Sequence, residues 1–488
     1  MGPSAGKPAT GLPATEEPRP TDGSSLTGDY LGALMLRLFD TATGAVVPFT
    51  ARNPGQVSMY VCGPTVYGPP HLGHGRFALV FDVLRRYLTY AGNEVTYVSN
   101  ITDIDDKIIA RATELGVTAA EVADANEAIW WEAMDALGVQ RPTHDPHATA
   151  YVEQMTALVE RLVDADRAYV AGDGVYFRAA TVEDYGLLAR QSIDSLRAGA
   201  RVEGADDKES PVDFALWKFA KPGEPAWPSP WGEGRPGWHT ECVVMALDLL
   251  GEGFDIHGGG LDLAFPHHEN ERAQAVADGS DFAHVWVHNG FVEVDGTKMS
   301  KSLGNFTNLV ELIDSHDARA FRLLVLRSHY RSPIDVNNDS ISDAEAALAR
   351  LDAFAGRIGD AELAPALPDT DVMERFVAAM DDDLDTPAAT AVLFDTVRRA
   401  NTALDSGDDA VAAALAAAAT QIADAFGLEL RGAAGAGDVP AEIRDLATQR
   451  DAARADRDFA RADDLRDAIA AAGWQITDTP QGPKLTRD

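Results

Sequence analysis

Residues 57–100 constrain the fold more than any other stretch of this chain. VSMYVCG (57–63) is a short apolar run of strand type, and PTVYGPP is a turn-rich loop. From His71 the apolar residues Phe77, Phe81, Leu84 and Leu88 recur at helical spacing until Gly92 ends the run, and EVTYVSN (94–100) is strand-like again. Strand, loop, helix and strand in that order make a βαβ unit. Such a unit predicts an α/β fold with a Rossmann-type parallel sheet and a nucleotide site at its carboxyl edge.

Length and composition narrow the rest. A chain of 488 residues, 45% hydrophobic, has room for about three domains at roughly 150 residues each. Its two cysteines, Cys62 and Cys242, exclude a disulfide framework and fit a reducing cytosol, so a cytoplasmic location is expected. The first thirty residues are rich in Gly, Pro, Ser and Thr; they lack the apolar core of a signal peptide and read as a disordered tail. AVAAALAAAATQIADAFG is broken by polar residues and reads as a soluble helix, so no membrane association is expected. The net charge of −36 argues against a general nucleic-acid binder, because non-specific affinity for phosphate comes from Lys and Arg. A local basic stripe can still exist inside an acidic protein.

Three short stretches carry chemistry. HLGHG (71–75) opens the predicted helix. Gly73 there lets a ligand approach the backbone, and an anion would meet the helix dipole, His71 and His74. A histidine pair at a helix start is also an ordinary surface feature. DGTKMSKSLGN (295–305) puts Lys298 and Lys301 in a flexible polar loop, which suits a clamp over polyphosphate or, equally, a solvated loop. FPHHENERAQA (265–275) puts His267 and Glu271 four apart, on one face of a helix, while His268 and Asn270 point elsewhere. That pair can contribute to a zinc site if other ligands join it. It equally fits a helix N-terminus whose acidic residues suit the dipole.

HLGH and KMSKS resemble the two signature sequences of class I aminoacyl-tRNA synthetases. YVCGPTVYGPPHLGHGR, NITDIDDKI, RPGWHTEC, DIHGGGLDLAFPHHENE and KMSKSLGN resemble the cysteinyl-tRNA synthetase family in particular. The resemblance runs from about residue 35 to the C-terminus; Leu72 stands where isoleucine is usual. It implies a Rossmann catalytic domain over 31–340, interrupted by an insertion at about 145–235 that contains DGVYFRA and DFALWKF. The KMSKS loop (298–302) lies within it. A helical bundle (341–430) would follow, then a linker and a small C-terminal anticodon-binding domain (431–488).

The same resemblance implies that Cys62, Cys242, His267 and Glu271 bind one zinc. Four protein ligands usually mark a closed structural zinc. Cys62, however, ends the strand that feeds the nucleotide loop, so the metal is expected at the active site with the substrate thiolate as a further ligand. The expected substrates are L-cysteine, magnesium-bound ATP and tRNA-Cys, and the chain is expected to act as a monomer. His71, His74, Lys298 and Lys301 are implied to stabilise phosphate charge. Gly73, Asp262 and Lys301 are implied to bind ATP, and Thr102 and Trp238 to line the amino-acid pocket. A zinc explains selection against serine, since it favours a thiolate over a hydroxyl. The cysteine ligase of mycothiol synthesis would share the zinc and both signatures but needs no anticodon domain, and the chain after residue 430 speaks against it. Intact signatures and ligands speak against a non-catalytic paralogue.

Near the C-terminus, QRDAARADRDFARADDLRD places Arg450, Arg454, Arg457 and Arg461 at spacings of four, three and four. On one helix they form a single face, either a surface for the tRNA anticodon arm or a solvated face of Asp–Arg pairs.

Overall fold

The computed structural model describes residues 36–199, 208–294, 297–298, 308–432, 441–455, 458–479 and 482–487. The expected N-terminal tail, Lys301, Arg457 and most of the expected linker lie outside the described residues.

The predicted βαβ unit forms β1 (Gln56–Val61), α1 (Leu72–Tyr90) and β2 (Glu94–Val98). Far along the chain come α2 (Trp238–Leu250), β3 (Phe254–Gly260), α3 (Glu269–Ala277) and β4 (Ala283–Asn289). The four strands pair in parallel in the order β4-β3-β1-β2. Val57, Met59, Tyr60 and Val61 are all buried, the continuous apolar run of a parallel strand covered on both faces. α1 lays Phe77, Phe81, Leu84 and Leu88 into the core. It comes so close to β3 that a Cβ on Gly258 would lie 2.3 Å from the Phe81 ring. β2 and β3 flank β1 on opposite sides, so the connections diverge there and open a crevice at the carboxyl ends of the strands.

Between β2 and α2, Ala168–Val170, Gly174–Phe177, Phe214–Phe219 and Gly234–Pro236 form a separate antiparallel sheet in chain order. Its Phe177 and Trp217 share a core with Cys242 and Met245 of α2, which ties this sheet to the parallel one. Beyond the parallel sheet, Val292–Val294, Thr297–Lys298 and Ile334–Asp335 form a small sheet, and helices follow at Asn338–Asp360, Thr370–Asp381, Thr386–Ser406 and Asp409–Ala425. The alanine-rich stretch is the last of these and buries Leu415, Ala418, Ala419 and Ile422. Among the described residues no helix is long and apolar enough to cross a membrane.

The C-terminal part corrects one expectation. The arginine-bearing stretch is two helices, Ala441–Ala455 and Phe459–Ala471, followed by an antiparallel hairpin (Trp474–Thr479, Gly482–Arg487). Asp458 caps the second helix by accepting from the Arg461 amide at 3.2 Å. Ile443, Ala447, Ile469 and Trp474 form the small core of this part. Arg450 is 7% exposed and Arg461 sits on the second helix, so these two do not share one helical face.

Candidate active site and metal centre

Cys62, Asn100, Gly260 and Asn289, at or just beyond the carboxyl ends of the four strands, line one cavity of about 440 Å³. The chain leaves β1 under tight steric control. A Cβ on Gly63 would lie 1.6 Å from the Asn100 carbonyl oxygen, and the Gly63 N–H donates to Asn100 Oδ1 at 2.9 Å. This junction fixes Cys62 at the cavity floor.

Cys62 meets three residues from α2 and the α3 region. Its Sγ lies 3.6 Å from Cys242 Sγ and 3.3 Å from Glu271 Oε1. Cys242 Sγ is 3.6 Å from His267 Nε2, and His267 Nε2 is 3.0 Å from Glu271 Oε1. Ligands held about 2.0–2.3 Å from a tetrahedral zinc stand roughly 3.3–3.8 Å apart, so the four donors need little movement to close on one ion. All four are buried. The α3 stretch is not a simple helix head. Residues 264–268 make a wide turn with Phe265 extended (φ −142°, ψ 133°), and α3 starts only at Glu269. His267 and Glu271 nevertheless face each other across one turn.

A second set of buried groups orients these donors. His239 Nδ1 lies 2.8 Å from His267 Nδ1, and His257 Nε2 lies 2.7 Å from Glu271 Oε2. Trp238 stacks on His267 with ring centres 4.1 Å apart. Burial pushes both thiols up and the His267 imidazole down, which favours neutral groups until a cation compensates for lost hydration. His257 and His268 also come within reach of Cys62 and Glu271. His268 is instead hydrogen-bonded to His288 at 2.8 Å. Sequence reasoning missed His239, His257 and Asn100 as partners, because a buried polar contact to a distant residue leaves no local spacing to read.

The other end of the cavity is built by the head of α1. His71 is its N-cap: His71 Nδ1 accepts from the His74 amide at 3.3 Å, and His74 Nδ1 accepts from the His71 amide at 3.2 Å. Acceptance at both Nδ1 atoms places the ring protons on Nε2. The two rings stack at 3.7 Å and both line the cavity. A Cβ on Gly73 would lie 2.9 Å from the His71 ring, so a larger residue would displace that imidazole.

Thr102, Trp238 and Asp262 line the same cavity. Thr102 is 2% exposed; its hydroxyl donates to Glu241 Oε2 at 2.9 Å and accepts from Asn100 Nδ2 at 3.2 Å. Lys298 lies in a two-residue strand paired with Val292–Val294. Nine of the twelve expected site residues line one cavity and Glu271 joins them through its metal-site partners, while Lys301 and the Lys298 side chain lie outside the described residues.

Comparison with known proteins agrees with this geometry. Residues 48–346 match the family model described as tRNA synthetases class I (C) catalytic domain, and residues 375–431 match a DALR domain. Cysteine--tRNA ligase of Alkalilimnicola ehrlichii is 48% identical over 463 residues, covering 93% of this chain and 100% of the relative. That of Geobacter sulfurreducens is 45% identical, covering 92% and 99%. Among solved structures, Mycobacterium tuberculosis methionyl-tRNA synthetase with methionyl-adenylate superposes with a TM-score of 0.57 at 16% identity, covering 76% of this chain and 89% of that one; it shares the fold. A parallel sheet with both signature stretches, a Cys/Cys/His/Glu cluster on its carboxyl edge and nearly full-length identity to such relatives place the chain in the cysteinyl class I tRNA synthetases, the cysteine--tRNA ligase family.

Proposed function

We propose that this chain activates L-cysteine with magnesium-bound ATP, transfers the cysteinyl group to tRNA-Cys, and holds one zinc on Cys62, Cys242, His267 and Glu271. The observation that carries this reading is the shared cavity: Cys62, Cys242 and His267, grouped with the buried Glu271, line its floor, and His71 and His74 form its far end. When bound, the zinc supplies a Lewis acid that takes a thiolate in preference to a hydroxyl and so selects cysteine over serine. Selection of that kind makes a separate editing site unnecessary.

The chain's own residues do the rest by positioning and electrostatics. The cysteine carboxylate attacks the α-phosphate of ATP and pyrophosphate leaves. The Nε2–H groups of His71 and His74 donate to phosphate oxygens as their charge grows, with Lys298 and Lys301 acting from the other signature stretch. Gly73 keeps the α1 backbone open to the nucleotide, and Asp262 takes the ATP ribose. Thr102, already held by Glu241 and Asn100, and Trp238 shape the amino-acid pocket. A ribose hydroxyl at the tRNA end then takes the cysteinyl group and AMP leaves.

The same reading assigns residues 31–340 to catalysis, with an insertion at about 145–235. It assigns 341–430 to a helical bundle and 431–488 to a linker and anticodon-binding unit, in a cytoplasmic monomer. The deciding experiment is charging of tRNA-Cys beside a reaction with glucosaminyl-inositol as acceptor. Cysteinyl-tRNA is expected from the first and no product from the second. Product only from the amino sugar would overturn the proposal.

A further inference from the structure

Arg76 lies on α1, two positions after His74. It is 1% exposed, and among the described residues no carboxylate pairs with it. Burial lowers its pKa only to about 10, so the guanidinium keeps its charge at neutral pH. A buried charge without a counter-charge costs stability, and an apolar side chain of similar volume would pack there without that cost. What the arginine adds is a rigid fork of donors.

The fork joins two chain segments. It donates to the Phe291 carbonyl at 2.6 Å and, on the other segment, to the carbonyls of Tyr330 (3.1 Å) and Ser332. The segments also meet directly. The Gly290 N–H donates to the Tyr330 carbonyl at 2.8 Å, and the Ile334 N–H to the Phe291 carbonyl at 3.0 Å. A Cβ on Gly290 would lie 2.5 Å from the Arg331 carbonyl oxygen. Asp383 anchors the second segment from another side, accepting from the Tyr330 hydroxyl at 2.7 Å and from Arg331 Nε at 2.8 Å.

Both segments run on into the small sheet. Phe291 leads into Val292–Val294 and Ser332 towards Ile334–Asp335, and these two strands pair in parallel. On its other edge Val292–Val294 pairs with Thr297–Lys298, which sets Glu293 opposite Lys298. Gly290, Phe291 and Val292 also wall the cavity that His71 and His74 line. One guanidinium therefore ties the backbone that carries Lys298 to the helix that carries both histidines.

We infer that Arg76 is a positioning residue for adenylate formation, fixing the small sheet that bears Lys298 against the head of α1. This rests on the proposed cysteine-activating function.

The test is single-turnover formation of cysteinyl-adenylate by the full chain, which also reads slow variants when followed over hours. Arg76→Lys keeps the charge but not the fork, and Arg76→Gln serves if the lysine variant fails to fold. Arg76→Lys is expected to slow the step about tenfold or more, with cysteine binding unchanged. In a Lys298→Gln background the same substitution should cost less than about twofold, because a lysine already removed cannot be misplaced. A fold that is merely loosened loses the same factor in both backgrounds, and that result overturns the inference. So does an unchanged rate, or weaker cysteine binding at an unchanged rate. If Lys298→Gln alone runs at the wild-type rate, the inference falls and the functional reading stands. A wild type that forms no cysteinyl-adenylate overturns the functional reading, and the inference with it.

Discussion

His239 Nδ1 stands 2.8 Å from His267 Nδ1. Two like nitrogens at that distance share one proton, so one ring donates and the other accepts. Burial lowers the His239 pKa to about 3 and holds His267 well below the usual imidazole range, so both rings are neutral. For His267 Nε2 to bind a cation its proton must sit on Nδ1, which makes His239 the acceptor that fixes the ring. His239→Phe keeps the bulk and removes the acceptor. Zinc affinity should fall about 10- to 100-fold, read by competition with a chromogenic chelator. Unchanged affinity would show that the contact does not orient His267.

Cys242 offers a more direct test. It lies on α2 and faces Cys62 at 3.6 Å, and serine in its place supplies a much poorer ligand. Elemental analysis should find one zinc per wild-type chain and much less in Cys242→Ser. The variant should also lose its preference for cysteine over serine while keeping its KM for ATP. A variant that still selects cysteine would contradict the assignment of Cys242.

The βαβ unit was legible because Phe77, Phe81, Leu84 and Leu88 repeat at helical spacing between two apolar runs, and all four are buried. The metal set was legible only through family resemblance. Taken alone, FPHHENE fits a helix head, and the contact that closes the site joins Cys62 to Cys242 across 180 positions. His239, His257 and Asn100 are invisible for the same reason: a buried polar group is defined by its neighbours in space. The arginine stripe failed differently. Its periodicity continues across a helix break, and the capping Asp458 looks like any other aspartate in an acidic helix.

Lys301 lies outside the described residues, and its role rests on the KMSKS resemblance. A lysine that engages phosphate mainly in the transition state governs turnover rather than ground-state binding. Lys301→Ala should slow pyrophosphate exchange by about 100-fold or more with the KM for cysteine little changed. A raised KM for cysteine at normal turnover would assign the lysine to the amino-acid pocket.

Asp82 and Arg322 tie the signature helix to the helices beyond the sheet. Arg322 Nη1 donates to Asp82 Oδ2 at 2.7 Å and to the Phe426 carbonyl at 2.9 Å, and both side chains are 1% exposed. Breaking such a pair leaves a charge buried. Arg322→Met should cost about 3–5 kcal/mol in urea unfolding, softened by Arg86, whose Nε is 2.9 Å from the same carboxylate oxygen. A loss below about 1 kcal/mol, the range of exposed pairs, would mean the site relaxes or admits water.

The split of the arginine stripe sharpens the question of how a chain of net charge −36 meets RNA. Arg450 is buried beside Asp451, which makes it part of the packing. Arg454 closes the first C-terminal helix and Arg461 opens the second, and both are exposed. The two roles predict opposite phenotypes. Arg450→Ala should lower the unfolding temperature, because a buried stem is lost. Changing Arg454 and Arg461 together to Ala should leave stability and adenylate formation at wild-type values while weakening tRNA-Cys binding. Each lost phosphate contact should also flatten the plot of log affinity against log salt by about 1. Filter binding at several salt concentrations reads both quantities. If affinity and slope stay unchanged in the double variant, these two arginines only solvate an acidic surface, and the RNA contact lies elsewhere on the chain.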